Sequence, residues 1–201
     1  GEGMDCYMVG KTLGGGSCAP VSDGRIFIGD NYATQKRLCN GPLRTAAEFT
    51  WPEFEFDDAA VTVKRSLSLD ANTRLVHWTA SFEASGKDSL DVVVGAVLHD
   101  VKSIVYGKDY ISFTELASDS REEVNDDLIS IGLILSDRFT AEPCELDGHA
   151  VLKFRVKCGE TVDYWTASGW NKGGIESPEA WNEYMKAQAV AVNNPLTVKV
   201  L

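Results

Sequence analysis

His99 leaves the most apolar stretch of the chain, residues 90–98, together with Asp100. An imidazole fixed at the end of a rigid strand is placed for proton transfer, since its ordinary pKa near ~6.5 lets it act as acid or base at neutral pH. A hydrogen-bonded structural histidine at a strand end is the competing reading. Tyr7 and Lys11 lie on the N-terminal loop and can assist His99, and Asp5 on the same loop can bind substrate. The alternative for all three is a solvated loop with local hydrogen bonds. Arg44 follows Gly41-Pro42-Leu43 at a strand start. Its guanidinium can grip a carboxylate through two parallel hydrogen bonds, that of a uronic acid included, or form a surface ion pair. Trp170 ends the segment Thr166-Ala167-Ser168-Gly169, which reads as the end of a strand entering a glycine-rich loop. Its flat face can stack on the C–H side of a sugar ring.

The remaining chemistry-bearing residues read as structural. His77, beside Trp78, fits packing or surface, and His149, after Gly148, fits a turn. Three histidines without local spacing give no zinc site, and the acidic pairs Asp57-Asp58 and Asp126-Asp127 lack the calcium-loop pattern. No metal and no cofactor is expected. Gly14-Gly15-Gly16 follows Lys11-Thr12 instead of preceding it, so the order excludes a phosphate-binding P-loop. Those glycines instead suit a backbone passing close to a ligand or a neighbouring strand. There is no nucleophile elbow. Glutamates such as Glu48, Glu53, Glu55 and Glu83 are plentiful, but sequence alone does not pair two of them for glycoside hydrolysis.

The elements that must position these groups are mostly strands. Residues 61–69 alternate, with Val61, Val63, Leu67 and Leu69 on one side, and a turn at Asp70-Ala71-Asn72 returns the chain through 74–84 as a hairpin. Residues 90–98 suit a strand covered on both faces. Further strands are expected at 25–29, 43–50, 103–106, 110–115, 128–135, 138–142, 150–157 and 161–167, with residues 1–24 irregular. Ser177 and Pro178 open one helix on which Trp181, Tyr184, Met185 and Gln188 form a stripe. Asn193-Asn194-Pro195 stops it, and 196–201 can close as a last strand. The fold class is mainly β, a large antiparallel sandwich with one C-terminal helix, forming a single domain over 1–201.

Composition narrows the partners. The net charge of −11 over 201 residues comes with no basic stripe, which disfavours nucleic acid and anionic membrane surfaces. The apolar runs at 92–98 and 129–135 fall far short of the ~20 residues that span a bilayer. Five cysteines leave at least one thiol unpaired, and the simplest arrangement is mostly buried free thiols with at most one disulfide. Gly1-Glu2-Gly3-Met4-Asp5 carries neither the basic start nor the apolar run of an export signal.

Three stretches carry a resemblance. They are Gly3-Met4-Asp5-Cys6-Tyr7 through Gly10-Lys11-Thr12-Leu13-Gly14, then Asn40-Gly41-Pro42-Leu43-Arg44, and Ser168-Gly169-Trp170 through Trp181 and Tyr184 to Pro195-Leu196. Together they resemble the domain-of-unknown-function family 4861 of polysaccharide-degrading bacteria. The Ser68-Leu69-Asp70-Ala71 hairpin is similar to the large sandwich of galactose-mutarotase-like and polysaccharide-lyase proteins. The resemblance implies a supersandwich-like fold, carbohydrate as partner, and a periplasmic or secreted setting. It also implies a longer protein in which this chain is the C-terminal part, so that an N-terminal region or another chain completes it. The expected activity is that of a glycan lyase, hydrolase or epimerase on uronic-acid-containing saccharides. The alternatives are a non-catalytic glycan-binding module and a structural partner of a missing domain.

Overall fold

The computed structural model describes residues 7–117, 127–197 and 199. Among them the strands in chain order are β1 (Ser17–Ser22), β2 (Arg25–Ile26), β3 (Thr34–Asn40), β4 (Arg44–Thr50), β5 (Phe54–Phe56), β6 (Ala59–Asp70) and β7 (Leu75–Ala84). They continue as β8 (Ser89–Val97), β9 (Val101–Tyr106), β10 (Tyr110–Leu116), β11 (Leu128–Leu135), β12 (Glu142–Leu146), β13 (His149–Lys157) and β14 (Val162–Trp170), before helix α1 (Pro178–Asn193). The strands form two sheets, in which every pairing between described strands is antiparallel. The small sheet has the order β12-β13-β8-β1-β2. The large one runs β3-β4-β6-β7-β14-β11-β10-β9, with β5 added to β6. The protein is thus a mainly-β sandwich with, among the described residues, a single α-helix near its C-terminal end.

Alternation along the strands builds the core. Ile111 and Phe113 from β10, Ile131, Leu133 and Leu135 from β11, and Tyr164 from β14 point inward from the large sheet. Val92, Val94 and Leu152 of the small sheet meet them, and each of these side chains is essentially inaccessible. The two sheets differ in width, which leaves part of the large sheet's inner face uncovered. One strand shows the boundary. Val61 and Val63 are buried beneath the small sheet, whereas Leu67 is half-buried and Leu69, on the same face of β6, is 36% exposed. Beyond it, all seven residues of β3 are exposed.

Helix α1 closes the opposite face of the large sheet. The Ser177 hydroxyl accepts the Ala180 N–H at 3.2 Å, and Pro178 takes the first turn as the sequence predicts. Trp181 and Met185 are fully buried, and Trp181 Nε1 donates to the Ile131 carbonyl at 3.1 Å. Two glycines make room for them. A Cβ on Gly132 would stand 2.3 Å from the Met185 sulfur, and one on Gly169 would stand 2.8 Å from Ile175.

Several expectations are corrected. Ser17–Ser22 is a strand, not irregular loop, because its backbone pairs with β8 from Ser17 to Pro20. Residues 138–141 form a turn and its exit, with strand β12 starting at Glu142. Ser168-Gly169-Trp170 continues β14 instead of entering a loop, since each residue pairs with β11. Leu196 is 95% exposed, and neither it nor Thr197 is in a strand. Of the described cysteines, Cys18, Cys39, Cys144 and Cys158 are free thiols, but only Cys18 is buried.

Candidate functional site

The residue that organises the site is Glu115, which sequence reading did not single out. It stands on β10 in the inward phase of Ile111 and Phe113 and is completely buried. A charged side chain in that phase must find a partner, because burying an unpaired carboxylate is costly. His99, just past the end of β8, supplies both contacts. Its Nδ1 lies 2.6 Å from one carboxylate oxygen, and its backbone N–H donates to the other at 3.1 Å. With Nδ1–H given to the carboxylate, the lone pair sits on Nε2, and the imidazole side chain remains 24% exposed. Across β9 the register shifts between Thr114 and Glu115, a bulge that re-aims the strand at this position.

Tyr7 braces the imidazole. Its ring meets His99 edge-on at 5.1 Å between centroids, and its hydroxyl donates to the Val97 carbonyl at 2.5 Å. Burial first, and the Glu115 charge second, push the phenol well above the ordinary tyrosine range. The raised pKa favours the protonated phenol, whose hydroxyl donates to the Val97 carbonyl. The loop carrying it is held from several directions. Val97 N–H donates to the Gly14 carbonyl at 3.0 Å, and Leu13 N–H donates to His149 Nε2 at 3.2 Å. His149, expected in an unremarkable turn, is 5% exposed and staples the loop to the small sheet. Gly16 has φ of +138°, and a Cβ there would lie 2.4 Å from Thr166, so the loop lies directly on the large sheet.

Trp170 joins this group through register. Glu115 is opposite Ile129, and Ile129 is opposite Trp170, so the three side chains stand in one row on one face. Two strand spacings separate Glu115 from Trp170, about 10 Å. The indole is half-buried, and its Nε1 has no hydrogen-bond partner among the described residues. Lys172 lies 5.8 Å from the ring centroid and pairs with Asp127 at 2.6 Å. Tyr7, His99 and Glu115 are in contact with one another, whereas Trp170 stands two strands away in the same cross-strand row.

Two expected residues lie elsewhere. Arg44 begins β4 on the opposite face from Thr45, and its Nε and Nη2 hold Asp70 at 2.5 and 2.7 Å. Its bidentate grip is already filled by the chain's own carboxylate, which raises the Arg44 pKa through that hydrogen bond and charge. The occupied fork, with both side chains exposed, is a surface ion pair. Lys11 is exposed and lines an open groove of about 740 Å³ with Trp51 and Arg65, a groove that neither His99 nor Trp170 lines. Asp5 lies outside the described residues. Among the described residues no group of three or more His, Cys, Asp or Glu side chains is arranged to hold a metal ion.

On the helix face, His77 stacks on Trp165 at 4.8 Å and bonds Asp163 at 2.9 Å. The His77 hydrogen bond, then the charges of His77 and Arg138, lower the Asp163 pKa. A depressed carboxylate pKa contributes stability above its unfolded value and loses it as pH falls through the folded value. Asp163→Asn is therefore expected to flatten the loss of thermal stability below about pH 4, measured as melting midpoint against pH. An unchanged acid limb contradicts this.

The class shown is a mainly-β protein of two antiparallel sheets with a helix packed on the larger one. The chain belongs to the family described as Domain of unknown function (DUF4861), whose model matches residues 1–198. A similar curated protein is "Uncharacterized protein P7" of Formosa agariphila, 22% identical over 204 residues, covering 100% of this chain and 50% of that protein. The chain thus spans about half the length of the curated relative it matches. A solved structure described as "Putative kojibiose phosphorylase from human microbiome" is similar over 75% of this chain and 21% of its own, with 12% identity and a TM-score of 0.48.

Proposed function

We propose that this chain is a carbohydrate-active protein that moves a proton on a uronic-acid-containing saccharide bound along the open inner face. The observation that carries the reading is the His99–Glu115 pair, a partly exposed imidazole held at Nδ1 by a buried carboxylate. Nε2 of His99 takes the proton from the carbon bearing the sugar carboxylate. In elimination the electron pair left behind forms a C=C bond as the C–O bond to the leaving sugar breaks, and the imidazolium returns its proton to the departing oxygen. In epimerisation a water molecule on the other face delivers a proton to the same carbon, and the imidazolium gives the abstracted proton to solvent, so that hydroxide and proton recombine. Hydrolysis by paired carboxylates fits less well, since both Glu115 oxygens are engaged by His99. Trp170 offers a wall on which the ring stacks. Polymeric glycan is met outside the cytoplasm, so the reading carries a periplasmic or secreted location with it.

The uncovered strip beside the site, where Leu69 and Ser168 are exposed, favours a second reading as a non-catalytic glycan-binding module. Incubation with oligouronates, followed by ultraviolet absorbance of unsaturated products and by NMR of sugar stereochemistry, separates the two. Turnover that disappears in His99→Ala supports the first. Binding without turnover, retained in His99→Ala and lost in Trp170→Ala, supports the module.

A further inference from the structure

We infer that the groove along the open edge of β1 is a separate subsite for the anionic substituent of a saccharide, a carboxylate or a sulfate ester. That the anion belongs to a saccharide rests on the proposed function, whereas the anion preference follows from the groove itself. Three charged side chains line it, the cations Lys11 and Arg65 and the carboxylate of Asp30. One positive charge therefore remains in excess, in a chain whose overall charge is −11. Among the described residues neither Lys11 nor Arg65 has a carboxylate within ion-pair distance.

Arg65 occupies the inward phase of β6, between Val63 and Leu67, at the edge of the small sheet. Its Nη1 donates to the Ser17 hydroxyl and its Nη2 to the Cys18 carbonyl, both at 2.5 Å, and its guanidinium stacks 4.4 Å from the Trp51 centroid. These contacts fix the plane while using two of five N–H donors, so one hydrogen on each terminal nitrogen is left for a ligand. The acidic groups beneath Arg65 do not neutralise it. Burial pushes the Cys18 thiol up to about 12 and raises the Tyr164 phenol as well, against the opposing pull of Arg65, so both stay protonated. A cation held in place without a counter-charge is organised for an anion before one arrives. Trp51, Phe27 and Phe54 supply the apolar wall, and about 740 Å³ lies within the range of small-ligand pockets.

Titration calorimetry with three oligosaccharides of equal length tests this: an oligouronate, a sulfated oligosaccharide and a neutral one. The two anionic ligands should bind and the neutral one should bind at least tenfold more weakly, with the tighter anionic arm naming the substituent. Arg65→Gln should weaken anionic binding at least tenfold. Lys11→Glu, a change at an exposed position, should weaken it about fivefold or more, and raising salt from about 0.05 to 0.5 M should weaken it in the wild type. His99→Ala should retain this binding even where turnover is lost, so the subsite and the proton-transfer proposal fail separately. Equal affinity for the neutral ligand overturns the subsite. So does affinity within twofold of wild type in Lys11→Glu, which decides the matter should Arg65→Gln fail to fold.

Discussion

His99→Ala is expected to lower turnover of an oligouronate by roughly 10²- to 10⁴-fold and to lower thermal stability as well, since the buried Glu115 then keeps, among the described residues, only the backbone N–H of residue 99. The first part follows from removal of a partly exposed imidazole whose Nδ1 is held by a buried carboxylate. The second follows because the imidazole is the side-chain partner of a fully buried carboxylate. Glu115→Gln separates positioning from proton transfer. A carboxamide keeps the shape but can offer its N–H₂ to Nδ1, which turns the imidazole to the tautomer with Nε2 protonated. Turnover should fall with a displaced pH profile, whereas a purely structural Glu115 would change stability and leave that profile in place. Wild-type turnover in His99→Ala would end the proton-transfer reading.

Trp181→Ala is expected to be the most destabilising single change of the helix, by about 3–5 kcal/mol. The indole is fully buried, stacks on Tyr184 at 5.4 Å, and holds the Ile131 carbonyl through Nε1. Its removal leaves a cavity over Gly169 and an unpaired carbonyl, both of which add to the lost transfer energy. For a chain of this length the melting midpoint should fall by roughly 6–20 °C. A fall of a degree or two would mean that α1 is not integral to the sheet.

The helix was legible because its signals are local. Ser177, Pro178 and the Trp181–Met185 stripe act within a few residues of one another, and the structure reproduces the boundaries. Long strands were legible through alternation, as at 61–69, or through continuous apolar runs, as at 90–98 and 129–135. Strands β1, β3 and β5 were not, because their patterns are weak. Pro20 interrupts the first, β3 has no buried residue, and β5 is three residues long.

The site was half legible, and the two omissions share one cause. Glu115 follows Ile111 and Phe113, and Arg65 follows Val61 and Val63, each charged residue falling in the apolar phase of an alternating strand. Reading that phase for its apolar members alone passes over the charges that interrupt it, yet a charge there must be paired or must serve a ligand. Distance accounts for the rest. Nothing local joins Trp170 to Glu115, since β11 stands between their strands, and Arg44 finds Asp70 only once β4 lies beside β6.

The unequal widths of the two layers also grade the molecule's resistance to opening. Amides of β8 and β11, enclosed on both sides, should exchange with deuterated solvent only through whole-molecule unfolding, while those of the β3–β4 ribbon should exchange through local fraying. Labelling read by mass spectrometry would then show protection rising stepwise from one margin to the other. The margin holding Arg44 could loosen while the imidazole–carboxylate pair stays locked.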